Sequence, residues 1–509
     1  MCYFIHITQY FDRTVAQYPG RLAVCDGDEE MSFAVLHERV LHLALALHHC
    51  LDGRVNQVIA VYLPKSTDSL IADLAIAQSG NAYMNLDVKN PAQRIDNILR
   101  QVQPALVLSR EELLSGLPPL RQPFFLMPNQ NTPLPADERR MALRLREACI
   151  DTDPLCVINT SGSTGTPKAV VLNHRSFIDF TEVVLEAGLL GETEVIGSLS
   201  PLFFDIYSFE LCMLMACGST LVILPDTLAA FPARLLELMV ARRVSFIFWV
   251  PTIMVNIANM NLLRTIPLPD LKKVWFAGEV FPTAKCNYWR NCLPEAMFVN
   301  LYGPIEITLD CLYYVLSRKL RDDEPVPIGR PFKNTGILVL DEENHPVKLG
   351  QEGELCVRGS SLSMGYYNNL GKTVAAFVQN PLNTAYPEII YRTGDIVAFN
   401  EEGELIYKGR KDTLIKHMGY RIELAEIEHI TVSELELVSN CCTVYDASAK
   451  RITLFYEADM PLLEKDLRKR LSQILPRYMM PSAYIHLREL PRNGNGKIDR
   501  LLLKQSLEN

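Results

Sequence analysis

The sequence predicts an α/β protein. A large N-terminal region holds two α/β sheet subdomains and a β-rich subdomain, and a small, mobile α+β unit follows. Three observations carry this. At 509 residues the chain exceeds what one hydrophobic core usually supports. Up to about residue 325, short β-rich runs alternate with helical patterns, which reads as parallel sheets covered by helices. Beyond that point the texture changes to hairpin-like segments, and the last hundred or so residues alternate strand and helix again.

The elements follow in chain order. The runs "QVIAVYL", "ALVLS", "STLVIL", "VSFIFWV" and "LKKVWFAG" are candidate buried strands, and "FAVLHERVLHLALALHHC" and "FPARLLELMVARR" have helical spacing. "TGILVLDEENHPVKLGQEGELCVRG" and "IVAFNEEGELIYKGR" read as hairpins with glycine turns. "AEIEHITVSELELVSNCCTVYD", "ITLFYEAD" and "LEKDLRKRLSQILPRYMMP" supply the final α+β unit. The polar stretch "KGRKDTLIKHMGYR" divides the chain into 1–410 and 413–509, with a hinge near 411–412 at Asp412.

Composition is that of a globular protein, with 48% apolar and 21% charged residues. A net charge of −9 provides no long-range attraction to nucleic acid or an anionic membrane surface, so neither is an expected partner. The start lacks a basic segment followed by a long apolar one, and the most apolar window is interrupted by Pro251, so no signal peptide or membrane insertion is expected. A cytoplasmic location follows as an expectation. The 13 cysteines are scattered without a C-x-x-C pair, as small buried hydrophobes in a reducing compartment would be, and no zinc-like spacing occurs.

One loop stands out. In "CVINTSGSTGTPKAVVL" a strand over 155–160 and another over 169–172 flank a turn rich in Ser, Thr and Gly. Such a turn can aim backbone N–H groups and hydroxyls at one anion, and Lys168 can neutralise a polyphosphate. It is not a Walker A loop, because Pro167 precedes the lysine and no Ser or Thr follows it. A polar hairpin turn is the plain alternative.

The loop's company gives it meaning. "MSFAVLHERV", "AQSGNAYMNLDVKNPAQRI", "TSGSTGTPKAV", "FFDIYSFEL", "NLYGPIEIT", "GELCVRGSSLSMGYYN", "YRTGDIVAF", "GRKDTLIKHMGYRIELAEIE" and "NGNGKIDR" occur in this order almost end to end. The series resembles the adenylate-forming superfamily. "AGEVFP" and an end just past "NGKIDR" make it most similar to stand-alone amino-acid:carrier-protein ligases, including D-alanine ligases of teichoic-acid modification and glycine ligases serving lipid A. The resemblance implies ATP-dependent adenylation of an amino acid with Mg²⁺. Transfer then goes to the phosphopantetheine thiol of a carrier protein in trans.

The residue roles below are implied by that resemblance. Thr160, Ser161, Gly162, Ser163, Thr164, Gly165 and Lys168 grip the β- and γ-phosphates of ATP. Gly278, Glu279, Asn300, Leu301, Tyr302, Gly303 and Tyr407 form the nucleotide site, with Tyr302 stacked on the adenine. Asp395 and Arg410 hold the ribose, and Glu306 binds the metal. Lys497 bridges the substrate carboxylate and the α-phosphate, two anions that repel by roughly 4 kcal/mol at 4 Å and an effective dielectric near 20. Ile305 replaces a usual threonine and cannot donate a hydrogen bond.

The carried-over amino-acid pocket consists of Asp205, Ile206, Phe209, Phe248, Trp275, Ala277, Leu301, Leu309, Asp310 and Lys497. Asp205 either caps the following helix or binds the substrate ammonium, as in amino-acid-activating relatives. The bulky lining favours glycine, then alanine, by exclusion. Asp310 keeps a small diamino acid open. An acyl- or aryl-CoA synthetase and a nucleotide-sensing pseudo-ligase are the alternatives from other classes.

Overall fold

The computed structural model describes residues 4–128, 133–161, 167–191, 193–411, 413–447, 449–492 and 498–507. Among these the fold is mixed α/β with several sheets. The apolar runs become inner strands. Val58–Tyr62, Ala82–Asn85 and Leu106–Ser109 are buried throughout and pair in parallel within a seven-stranded sheet. That sheet continues through Pro154–Thr160 to Lys168–Asn173. In a nine-stranded sheet, Phe246–Trp249, Lys273–Phe276 and Met297–Tyr302 run side by side in parallel, and Leu312–Val315 adds an antiparallel neighbour.

Two helices, Thr67–Gln78 and Asp205–Cys217, are buried on almost every face and share one hydrophobic cluster with strands of both sheets. Their sequences are apolar all round for that reason. The helix Phe33–Cys50 spans the expected residues, with Ser32 accepting a hydrogen bond from the Val35 N–H at its start. A buried ammonium joins the segment between Val58–Tyr62 and the helix Thr67–Gln78 to the second helix: Lys65 donates to the Ser200 carbonyl (2.6 Å) and lies 3.8 Å from Glu210, on the helix that Asp205 begins. Burial raises the Glu210 carboxyl to about 7.

The β-rich sheet is antiparallel. Thr335–Leu340 pairs with Glu352–Gly359, which pairs with Ile389–Phe399, and Leu405–Arg410 lies along the last of these with Arg410 opposite Asp395. Beyond it, Leu414–His417 and Tyr420–Glu423 form a two-stranded hairpin. A three-stranded sheet then comprises Asn440–Asp446, Arg451–Glu457 and Ala483–Leu487. Alternation along its first strand sends Cys441 and Cys442 to opposite faces. Cys441 packs with Ile422 and Ile427, whereas Cys442 packs with Leu490, Leu503 and the partly buried Ile498. The helical pattern near residue 464 yields only Glu464–Leu471 and a short 3-10 turn at Arg477–Met479, since Pro476 cannot continue a helix.

The hairpin is pressed against the rest of the chain. Arg94 pairs with Glu426 at 2.7 Å, with both side chains buried. Tyr420 stacks on Tyr478, with ring centroids 3.7 Å apart, and meets the edge of Phe204 at 5.2 Å. None of the described cysteines is joined in a disulfide, and all but Cys50 and Cys292 are buried. No described helix is long and apolar enough to cross a membrane.

Trp289 is fully buried and donates to the Met254 carbonyl (2.9 Å) within a second cluster that includes no hairpin residue. Trp289→Ala is expected to lower unfolding free energy by about 3–5 kcal/mol in a denaturant titration, through lost packing and a residual cavity.

Candidate active site

The Ser/Thr/Gly loop is a strand-to-strand connection, as expected: Pro154–Thr160 and Lys168–Asn173 pair antiparallel, with Thr160 opposite Lys168. Gly162, Ser163, Thr164 and Gly165 lie outside the described residues, as do Asp412 and Lys497. At the loop's near end, the Ser161 hydroxyl donates to the Arg421 carbonyl (2.8 Å) and accepts from the Glu423 N–H (2.9 Å). At its far end, Lys168 Nζ lies 3.8 Å from the Glu423 carboxylate. The groups expected on phosphates are therefore engaged by the hairpin here.

A cavity of about 410 Å³ opens at the C-terminal ends of Lys273–Phe276 and Met297–Tyr302, where parallel sheets usually place ligands. Gly278, Glu279, Asn300, Leu301 and Tyr302 line one side, and Tyr407, Arg410 and Lys416 line another. Asp395 is buried, accepts from Arg410 (2.7 Å) and takes the Tyr302 hydroxyl. The two expected ribose contacts are thus paired with each other. Glu279 accepts from the backbone N–H groups of Thr252 (3.0 Å) and Gly419 (2.8 Å), joining the core to the hairpin.

A second cavity, of about 110 Å³, is lined by Asp205, Gly303, Ile305, Asp395, Lys416 and Arg421 among others. Asp205 does not cap its helix: Phe204 holds that position, and Asp205 is the first helical residue, accepting the N–H of Ile206 (2.9 Å). The capping alternative is therefore set aside. Enclosure away from bulk water raises its carboxyl to about 6, a rise that the Ile206 N–H and the charges of Lys416 and Arg421 limit. Asp310 is buried too. Burial and then the charge of Asp205 push its carboxyl well above the ordinary range, opposed by Lys416.

The remaining pocket residues fill space. Phe209, Phe248 and Trp275 are completely buried and pack ring to ring, with centroids 5.3–5.9 Å apart. Ile206, Ala277, Leu301 and Leu309 are buried around them. Backbone geometry holds Leu309 and Asp310 in place. Thr308 and Leu309 both have positive φ, at 56° and 64°, a conformation costing on the order of 1–3 kcal/mol per non-glycine residue. A Cβ on Gly303 would lie 2.2 Å from the Leu309 carbonyl oxygen.

Glu306 is completely buried in a short 3-10 turn, Ile305–Ile307. Its Oε1 accepts from the Tyr366 hydroxyl (2.9 Å), and its Oε2 from Arg421 Nη1 (2.7 Å). Burial opposes its ionisation, but the Arg421 charge outweighs this and holds the carboxyl at about 2. Among the described residues no cluster of three or more His, Cys, Asp or Glu could hold a metal. Glu306 is the carboxylate that would hold a Mg²⁺ ion, as an oxygen ligand suited to that cation.

Lys416 and Arg421 are the residues that sequence reasoning missed. The polar stretch that carries them reads in the sequence as a boundary between units, not as the source of two cations among four carboxylates. Their same-sign spacing in "IKHMGYR" was the available signal.

Residues 11–367 match the sequence model of the family described as AMP-binding enzyme. The chain belongs to that family. Among similar proteins of the AMP-binding family, delta-poly-L-ornithine synthetase of Acinetobacter baumannii is 30% identical over 98% of this chain, and surfactin synthase subunit 1 of Bacillus subtilis is 29% identical over 98%. The chain spans only 36% and 14% of those two proteins. Zwittermicin A synthase ZmaJ of Bacillus cereus is 29% identical, with 98% of this chain and 94% of that one covered. Among solved structures, the Vibrio cholerae adenylation domain AlmE, in complex with glycyl-adenosine-5'-phosphate, superposes with a TM-score of 0.86 at 21% identity. It covers 100% of this chain and 98% of its own, a likeness that establishes the adenylation-domain fold.

For this AMP-binding enzyme, Gly303→Ala is expected to displace Leu309 and Asp310 and weaken ATP binding at least about tenfold by calorimetry, since the clash is with backbone.

Proposed function

We propose that the protein activates a small amino acid, glycine first, as its adenylate and passes it to the phosphopantetheine thiol of a separate carrier protein, in service of lipid A or other cell-envelope aminoacylation. The observation that carries the reading is Asp205, a carboxylate lining a cavity of about 110 Å³, at the start of a helix whose Phe209 packs with Phe248 and Trp275. An enclosed carboxylate favours a ligand that brings a cation, and the packed rings leave room for little beyond an α-carbon. That AlmE was solved with glycyl-adenosine-5'-phosphate agrees with this.

In the first step a substrate carboxylate oxygen attacks the α-phosphorus, the bond to the β-phosphate oxygen breaks, and pyrophosphate leaves. Asp205 holds the ammonium, and Asp395 and Arg410 hold the ribose. Tyr302, Asn300 and Tyr407 surround the base. Lys497 escorts the carboxylate. Bound at Glu306, Mg²⁺ supplies charge neutralisation on the phosphates. In the second step the carrier's thiolate attacks the acyl carbon, the bond to the phosphate oxygen breaks, and AMP leaves.

The hairpin's seat in the site suits the second step. Ile498, the described residue after Lys497, packs on the opposite face of the three-stranded sheet from Ile422 of the hairpin. The small C-terminal unit would present one face for adenylation and the other for transfer, turning near Asp412, at the end of an element where hinges usually lie.

One observation favours a second reading. Asp310 accepts no hydrogen bond among the described residues and lies beside Asp205, as a reader of a second ammonium would. The ornithine-polymer synthetase among the relatives gives it context. In the glycine reading Lys416 neutralises Asp310 instead.

ATP–pyrophosphate exchange over an amino-acid panel separates the two. Strongest exchange with glycine, then alanine, is expected; exchange with diaminopropionate and none with glycine would overturn the glycine reading. The KM for glycine is also expected to rise roughly tenfold per pH unit below about 6, with the KM for ATP unmoved, because protonation removes the Asp205 charge that holds the ammonium. A glycine KM flat from pH 7 to 5 would contradict that role.

A further inference from the structure

The chain enters Asp205 through a segment, 199–204, that is neither helix nor strand, and Ser200 and Leu202 in it are buried. A buried carbonyl needs a donor, and three consecutive ones here each have one. Pro201 accepts from the Phe204 N–H within the segment (3.1 Å). Ser200 accepts from Lys65 Nζ (2.6 Å) and Leu202 from Asn85 Nδ2 (3.3 Å), two side chains carried by elements of the seven-stranded sheet. The helix that Asp205 begins has no side-chain cap of its own, so its start is held by the segment before it.

The Asn85 amide spends its two hydrogens on two acceptors. One is the Leu202 carbonyl, and the other is Asp73 Oδ2, at 2.9 Å. Asp73 is completely buried on the helix Thr67–Gln78. Its oxygen dictates which way the amide turns, since the Asn85 oxygen would be repelled there. Burial raises the Asp73 carboxyl to about 7, opposed by the Asn85 amide, and Oδ2 accepts in either protonation state. The pair is a poor way to join a strand to a helix. Asp73 Oδ1 and Asn85 Oδ1 are buried without a partner among the described residues, and an apolar pair of the same shape would pack as well or better. An apolar pair could not donate to Leu202.

Resting on the adenylation reading, we propose that Asn85, aligned by Asp73, is a positioning residue for the amino-acid site: it fixes the Leu202 carbonyl and thereby the depth at which Phe203, Phe204 and Asp205 meet the substrate. Phe203 and Phe204 line the same cavity as Asp205. Lys65 supplies the second pin, because it also lies 3.8 Å from Glu210 on the helix that Asp205 begins.

The test uses the full chain and reads ATP–pyrophosphate exchange with glycine and, in parallel, with diaminopropionate, alongside thermal unfolding of the same samples. Asn85→Leu is expected to raise the KM for the amino acid at least about tenfold, with the KM for ATP within about twofold, because only the ammonium end of the site is displaced. Its unfolding temperature is expected to fall, since Asp73 is left unpaired. Adding Asp73→Leu to Asn85→Leu is expected to restore the unfolding temperature and leave the amino-acid KM raised. Asp73→Asn, which still offers an oxygen to the Asn85 amide, is expected to keep that KM within about twofold of the wild type. Asn85→Ala reads the same KM if neither leucine variant folds. An amino-acid KM that recovers along with stability in the double variant, or that does not move when Asn85 is replaced, would overturn the proposal, while exchange in the wild type left the adenylation reading standing. Absence of wild-type exchange would overturn both.

Discussion

Four carboxylates converge on one small volume, and their charge has to be met. Asp205, Asp310, Asp395 and Glu306 are buried or walled in by protein, where an unpaired anion is far costlier than in water. The nearby cations come from one stretch of chain: Arg410 at the end of a strand, then Lys416 and Arg421 on the hairpin that follows. Arg410 answers Asp395 and Arg421 answers Glu306 directly, while Lys416 lies within electrostatic reach of Asp205 and Asp310. The seating of the hairpin follows from this imbalance.

The scaffold keeps the carboxylates from relaxing apart. Asp205 begins a helix buried on nearly all sides. Asp310 follows two residues held at positive φ, and the glycine at 303 lets that backbone come close. The aromatic trio behind Asp205 is packed as a core, with no donor or acceptor directed at a side chain other than the Trp275 N–H, which is buried without a partner.

Much of this was legible in the chain itself. Buried strands such as Val58–Tyr62 and Phe246–Trp249 are continuous apolar runs, and a period-free run of that length has few other places to go. Asp205, Asp310, Asp395 and Glu306 each sit in a recognisable motif. The partners of those carboxylates were not legible in the same way. Arg421 lies 115 residues from Glu306, and Arg94 lies 332 from Glu426. No local pattern encodes which face of a small unit meets the core. The choice between the two roles of Asp205 was open for a related reason: an aspartate before an apolar run has the chemistry of a cap, and only the backbone shows the helix beginning one residue earlier.

The central claim is that the Asp205 carboxylate recognises an ammonium in a cleft too small for a side chain. Calorimetry with two stable adenylate mimics tests it directly: glycyl-sulfamoyladenosine and its acetyl counterpart, which differ only in the amine. The glycyl compound is expected to bind about a hundredfold more tightly, with the gap closing in Asp205→Asn, as a charge-assisted hydrogen bond in an enclosed site would require. Equal affinity for the two compounds in the wild type would contradict the account.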